Sequence, residues 1–64
     1  MKPLSPREQQ VLIEASWGLT ARQSAEDLRL AVSTVKTHRK HICLKLQVPN
    51  IAAAVAVALR EGEI

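Results

Sequence analysis

The reading of this chain turns on Ser33-Thr34-Val35-Lys36-Thr37-His38-Arg39-Lys40-His41-Ile42-Cys43-Leu44-Lys45-Leu46. Laid out at about 100° per residue, the stretch separates into two faces. Val35, Ile42 and Leu46 fall on one side, with His38 at the margin. Lys36 and Lys40 fall on the other, flanked by Ser33 and Thr37. Ser33 stands where a hydroxyl can accept a bond from a free amide of a first turn. The spacing therefore predicts a helix over about 33–47 with Ser33 as its cap. One side of that helix belongs to a core, and the other is cationic and rich in hydroxyls.

Working outward toward the N-terminus, Arg29 to Val32 is too short for an element and reads as a tight turn. Before it, Thr20-Ala21-Arg22-Gln23 pairs a capping threonine with a glutamine three residues on, which opens a helix over about 20–28. Ala25 and Leu28 are its apolar positions, and Ser24 occupies a place where a larger apolar residue would pack better. Ser5-Pro6-Arg7-Glu8 is a second capping box, with proline at the first helical position and Leu4 placed to staple from outside. It predicts a helix over about 5–17 that buries Val11, Leu12 and Ala15 and stops at Gly18.

Toward the C-terminus, Gln47-Val48-Pro49 ends the basic helix, because proline disfavours helical geometry in the residue before it. Asn50 then caps a helix over about 50–61, closed by Gly62. Ile51, Ala54, Val55 and Ala58 form one apolar stripe of that helix; Ala53, Ala56, Val57 and Arg60 form a second. A chain this short cannot bury both stripes. The second is expected to pair two copies, the small alanines allowing close approach. The plainer reading is that alanine is a good helix former tolerated in water. The fold class expected is all-α, four helices forming a single helix-turn-helix domain over residues 1–64.

Composition bounds what such a domain does. Hydrophobic residues are 47% of the 64, yet Trp17 is the sole aromatic, so the core must be aliphatic. From Met1 to Asp27 there are three bases and four acids; from Leu28 to Arg60 there are six bases and no acid. That asymmetry points to a polyanion, against the plainer reading of a solvated face. The lone Cys43 offers no internal disulfide, and no signal peptide or membrane-length apolar run is present; a cytoplasmic protein is expected.

Other chemistry finds little support. His38 and His41, three apart, point about 60° from each other, and Cys43 lies off that face, so no metal site and no cofactor are expected. Cys43 reads as a small, half-buried residue rather than a nucleophile. Trp17 is expected to cover the end of the first helix, and one tryptophan makes no stacking platform for single strands. Nothing arranges a catalytic triad or paired carboxylates, so no enzyme is expected.

With these segments placed, the chain resembles the LuxR-type (GerE-like) helix-turn-helix family from Leu4 to Ile64. The resemblance is carried by Leu4-Ser5-Pro6-Arg7-Glu8 with Val11-Leu12, Gly18-Leu19-Thr20 with Ala25, and Ser33 to His38. Ile42, Lys45 to Val48, Ala54-Val55, Ala58 and Gly62 complete it. It implies a third helix in the DNA major groove and a fourth that pairs two subunits on a roughly palindromic site. It places Lys36, Thr37 and Lys40 at base edges, and Arg22, Ser33, Thr34 and Lys45 at phosphates. The dimer contact would use Ala53, Ala56, Val57 and Arg60.

Three positions depart from the family pattern. Ser24 replaces a buried isoleucine, Leu44 a polar or basic residue, and Ile51 an arginine. The first weakens the core; the others remove phosphate contacts and add exposed apolar surface. Met1 sits almost against the first helix, which resembles the short stand-alone members without a sensor domain. The expected function is sequence-specific duplex-DNA binding by a homodimeric transcription regulator. The alternative is a small interaction protein that pairs through the last helix with another regulator and inhibits it. A sigma-factor region 4 shares the two-helix outline but predicts no symmetric dimer.

Overall fold

The computed structural model describes residues 3–64. Met1 and Lys2, the start of the expected lead-in, lie outside the described residues. The chain forms α1 (Pro6–Ser16), α2 (Ala21–Leu28), α3 (Val32–Leu46) and α4 (Ile51–Arg60), with no strand among the described residues.

Three of these helices begin on a side chain. Ser5 Oγ accepts from the Glu8 amide at 3.2 Å, and the Ser5 amide donates to Glu8 Oε1 at 2.8 Å. Thr20 and Gln23 repeat the arrangement at 3.1 and 2.8 Å. Asn50 Oδ1 accepts from the Ala53 amide at 2.8 Å. Each satisfies first-turn donors that a helix leaves without partners.

α3 differs, and here the expected cap is corrected. Its N-cap is Ala31, in extended backbone and with no side-chain hydrogen bond, so Ser33 lies inside the first turn. The reason lies in how α2 ends. Arg29 adopts the left-handed conformation (φ 57°, ψ 47°), and the Leu30 amide donates to the Ala25 carbonyl at 2.8 Å. That closure consumes only Arg29 and Leu30, bringing the cap position forward to Ala31.

The same six-residue closure ends all four helices: Leu19 to Glu14 at 3.2 Å, Leu30 to Ala25, Val48 to Cys43 at 3.0 Å, and Glu63 to Ala58 at 2.8 Å. Gly18 (φ 85°) and Gly62 (φ 73°) supply the left-handed residue at two of them, as their positions suggested. At the other two it is Arg29 and Gln47, both at φ 57°. A non-glycine residue there costs about 1–2 kcal/mol. Thus α3 stops at Gln47, before Pro49 exerts its restriction.

The core joins Leu4, Val11 and Leu12 to Ala25, to Val35, Ile42 and Leu46, and to Ala54 and Ala58. A fully buried valine, leucine or isoleucine contributes about 1.5–3 kcal/mol, so α1 and α3 supply most of the adhesion. Each of these two helices packs against the other three, whereas α2 and α4 do not touch among the described residues. The chain bends by 53° between α3 and α4. Two apolar expectations are adjusted: Ala15 is only half-buried, and Ile51 packs against the core instead of adding exposed surface. Ser24 is fully buried and its hydroxyl has no hydrogen-bond partner. No single helix among the described residues is long and apolar enough to cross a membrane.

Candidate nucleic-acid interface

α3 is anchored from beneath. Val35 and Ile42 are fully buried and Leu46 nearly so. Arg39 falls in the same register, four residues after Val35 and three before Ile42, and its guanidinium turns inward. Arg39 Nη2 donates to the Leu19 carbonyl at 2.9 Å, tying α3 to the connection between α1 and α2. The neighbouring Nε is buried without a partner. By sequence Arg39 was counted only as one of the six bases from Leu28 to Arg60; its spacing on the apolar seam was the signal that it belongs to the scaffold.

Lys45 is likewise taken up. Its ammonium lies 2.6 Å from Glu8 Oε1, and it also donates to the Pro3 carbonyl at 3.4 Å. Glu8 is 5% exposed and Lys45 only partly exposed, so this pair clamps α3 to the start of α1. Burial pushes the Glu8 carboxyl up, but the Lys45 hydrogen bond and charge, together with the Ser5 contacts, more than offset it and leave it below its ordinary value. The lysine expected at a phosphate is therefore engaged by the protein itself. Glu8 was legible only as a capping residue, although its place between Leu4 and Val11-Leu12 puts it on the packed side.

What remains outward is consistent in character. Ser33, Thr34, Lys36, Thr37, Lys40 and His41 are exposed. Among the described residues the sole ion pair is Lys45 with Glu8, which leaves the ammonium groups of Lys36 and Lys40 without an acidic partner. The Thr37 hydroxyl donates to the Ser33 carbonyl at 3.0 Å, so its lone pairs remain for an incoming donor. Arg22 stands exposed in the first turn of α2. His38 is half-buried at the edge of the seam. Cys43 is also half-buried, and burial raises its thiol pKa despite the nearby charge of Arg39, which keeps the thiolate scarce. The described residues hold no His/Cys/Asp/Glu cluster suited to a metal ion.

α4 presents the second exposed face. Ala54 and Ala58 are fully buried, and Ile51 and Val55 pack beside them. Ala56 and Arg60 are exposed, Ala53 and Val57 half-buried, and Leu59 is 59% exposed. Leu44 of α3 is 66% exposed, as its departure from the expected pattern implied. Trp17 does not close off α1: it stands at the C-cap but is 70% exposed.

Comparison with known proteins identifies the arrangement. The chain matches the family described as "Bacterial regulatory proteins, luxR family" over residues 2–58. It is 45% identical over 58 residues to the probable transcriptional regulatory protein NarL of Mycobacterium tuberculosis, covering 91% of this chain and 27% of that protein. It is 42% identical over 57 residues to the response regulator protein TodT of Pseudomonas putida, covering 89% of this chain and 25% of that one. The crystal structure of the response regulator ChrA, of a heme-sensing two-component system, superposes with a TM-score of 0.94 at 41% identity. That match covers 100% of this chain and 32% of ChrA. The chain thus spans about a quarter of the length of these curated relatives. A helix pair with a basic, outward second helix, four helices in this order, and a family match over nearly the whole length agree: the chain belongs to the luxR family of bacterial regulatory proteins and is a LuxR-type helix-turn-helix DNA-binding domain.

Proposed function

We propose that this chain binds duplex DNA sequence-specifically as a homodimer, with α3 of each copy in the major groove. The observation that carries this reading is the outer side of α3, where Lys36, Thr37 and Lys40 are exposed while Val35, Ile42 and Leu46 hold the helix from beneath. Lysines suit guanine and phosphate acceptors, and a threonine with free lone pairs suits a base amino group or a thymine methyl. Lys36, Thr37 and Lys40 are therefore assigned to base edges.

Phosphate contacts fall to Arg22, Ser33 and Thr34. Support comes from the start of α3, which has no side-chain cap while the other three helices do. Its first amides and the Ser33 and Thr34 hydroxyls are left to meet an anion. Lys45 is omitted from this set because Glu8 holds it. The outer side of α4, where Ala56 and Arg60 are exposed and Ala53 and Val57 half-buried, supports the pairing of two copies on half-sites about one helical turn apart.

Selection of binding sites from a random duplex pool by the purified chain tests the whole reading. A palindromic consensus is expected. Enrichment of an asymmetric site removes the homodimer, and no enrichment removes sequence-specific binding. A second reading, a small protein that pairs through α4 with another regulator and inhibits it, is favoured by the exposure of Leu59 and Leu44. Co-purification with one regulator, with no shift of any duplex at low salt, is the outcome that would select it.

A further inference from the structure

Apart from the outer side of α3, α1 and α2 flank an open surface groove of about 260 Å³ lined by Gln10, Ile13, Glu14, Trp17, Asp27 and Leu28. No residue assigned above to DNA or to the dimer lies on it. Trp17 stands mostly in solvent, and Ile13 and Leu28 are half-buried. Glu14 is the most enclosed of the six at 4% exposure, and its Oε1 is buried with no hydrogen-bond partner. Asp27 comes from the other helix to line the same groove and is itself exposed. No base lines the groove, and neither carboxylate is in an ion pair among the described residues.

Two carboxyls beside an exposed indole, with aliphatic walls, form the complement of one side chain. A guanidinium is planar, stacks on an indole face, and forks its donors toward carboxylate oxygens. Its methylene stem would lie on Ile13 and Leu28. An ammonium lacks the plane and the fork, and a phosphate is repelled by the acids. We propose that the α1–α2 groove receives an arginine side chain from a partner protein, with the guanidinium between Trp17 and the Glu14 and Asp27 carboxylates. This inference does not rest on the DNA reading, because it uses none of the same residues.

The purified chain, titrated with the tripeptide acetyl-Leu-Arg-Leu-amide, provides the test. Trp17 is the sole tryptophan, so its fluorescence reports the groove alone. A saturable change is expected, with amide shifts confined to α1 and α2. The same peptide carrying citrulline, which keeps the shape and removes the charge, should bind about tenfold more weakly, as loss of a charge-assisted hydrogen bond predicts. Asp27→Asn, at an exposed position, should weaken arginine binding by a similar factor without disturbing the fold, and Glu14→Gln should do the same. Equal binding of the citrulline peptide, full affinity in Asp27→Asn, or shifts on α3 instead would overturn the proposal. A Trp17 change that grows with the chain's own concentration, peptide absent, would assign the groove to a second copy and overturn it too.

Discussion

α3 and α4 each bury one stripe in the same core: Val35, Ile42 and Leu46 on the first, Ala54 and Ala58 on the second. Their outer sides diverge. On α3 the exposed residues are Ser33, Thr34, Lys36, Thr37, Lys40, His41 and, near its end, Leu44; on α4 they are Ala52, Ala56, Leu59 and Arg60. The inner sides are interchangeable in kind, and only the outer sides distinguish what each helix can meet. Charge without an internal counter-charge calls for a polyanion. Small apolar side chains in solvent offer close approach to another apolar surface.

The comparison breaks most severely from beneath. Ile42→Ala should destabilise the fold by about 2–5 kcal/mol, read by thermal or urea unfolding, and DNA binding should fall with it. Lys40→Ala acts on the outer side alone. It should leave stability within about 0.5 kcal/mol yet cost about 1–3 kcal/mol in binding the selected site, with preference relaxed at one base pair. Arg22→Ala provides the contrast: all sequences weaken alike, and the slope of log affinity against log salt falls by about 0.9 for the lost phosphate contact. Uniform losses from both variants would end the division between base and phosphate contacts.

The outer side of α4 should respond differently. Val57→Asp is expected to keep the monomer folded and weaken pairing by about 1 kcal/mol per subunit, measured as mass by sedimentation and as loss of cooperative binding to a palindrome. Monomeric mass in both proteins together with unchanged cooperativity would assign α4 no part in pairing. Between the two helices, Gln47→Gly should stabilise the chain by about 1 kcal/mol, because glycine takes the left-handed conformation that glutamine adopts under strain.

The smallest effects are those of pH on the two buried acids, and they have opposite signs. Glu8 titrates below its ordinary value of 4.5 in the folded chain, so the stabilisation from Lys45 is present above that value and is lost as pH falls through the folded value. Glu14 titrates above 4.5, raised first by burial and then by Asp27. Its ionisation therefore penalises the folded chain at neutral pH, and the penalty fades as pH falls toward 4.5. Thermal melts of Glu8→Gln and Glu14→Gln at neutral and acid pH should show the first destabilised and the second stabilised at neutral pH, with both differences shrinking in acid.

Much of this was readable before any coordinates. Ser5, Thr20 and Asn50 cap helices because a hydroxyl or amide oxygen reaches an amide two or three residues ahead, a contact local enough for spacing to reveal. Gly18 and Gly62 end helices for an equally local reason. The seam of Val35, Ile42 and Leu46 follows from the period of the helix. Arg29 and Gln47 carried no such sign, since nothing local favours them in a left-handed turn. They are held there by the six-residue closures and by Leu30 and Val48 packing on the core. The misplaced cap at Ser33 follows from that one hidden turn.

Sequence alone determined four helices, three of their caps and two of their stops, the aliphatic core and the basic outer side of α3, because each depends on residues within a turn or two of one another. Tertiary structure decided which cations are free. Arg39 meets the Leu19 carbonyl from 20 residues away and Lys45 meets Glu8 from 37, and only the packing of α3 on α1 brings those partners into reach. It also brought Glu14, Trp17 and Asp27 together around one groove. Charge is a property of a residue, but its availability depends on what the fold sets beside it.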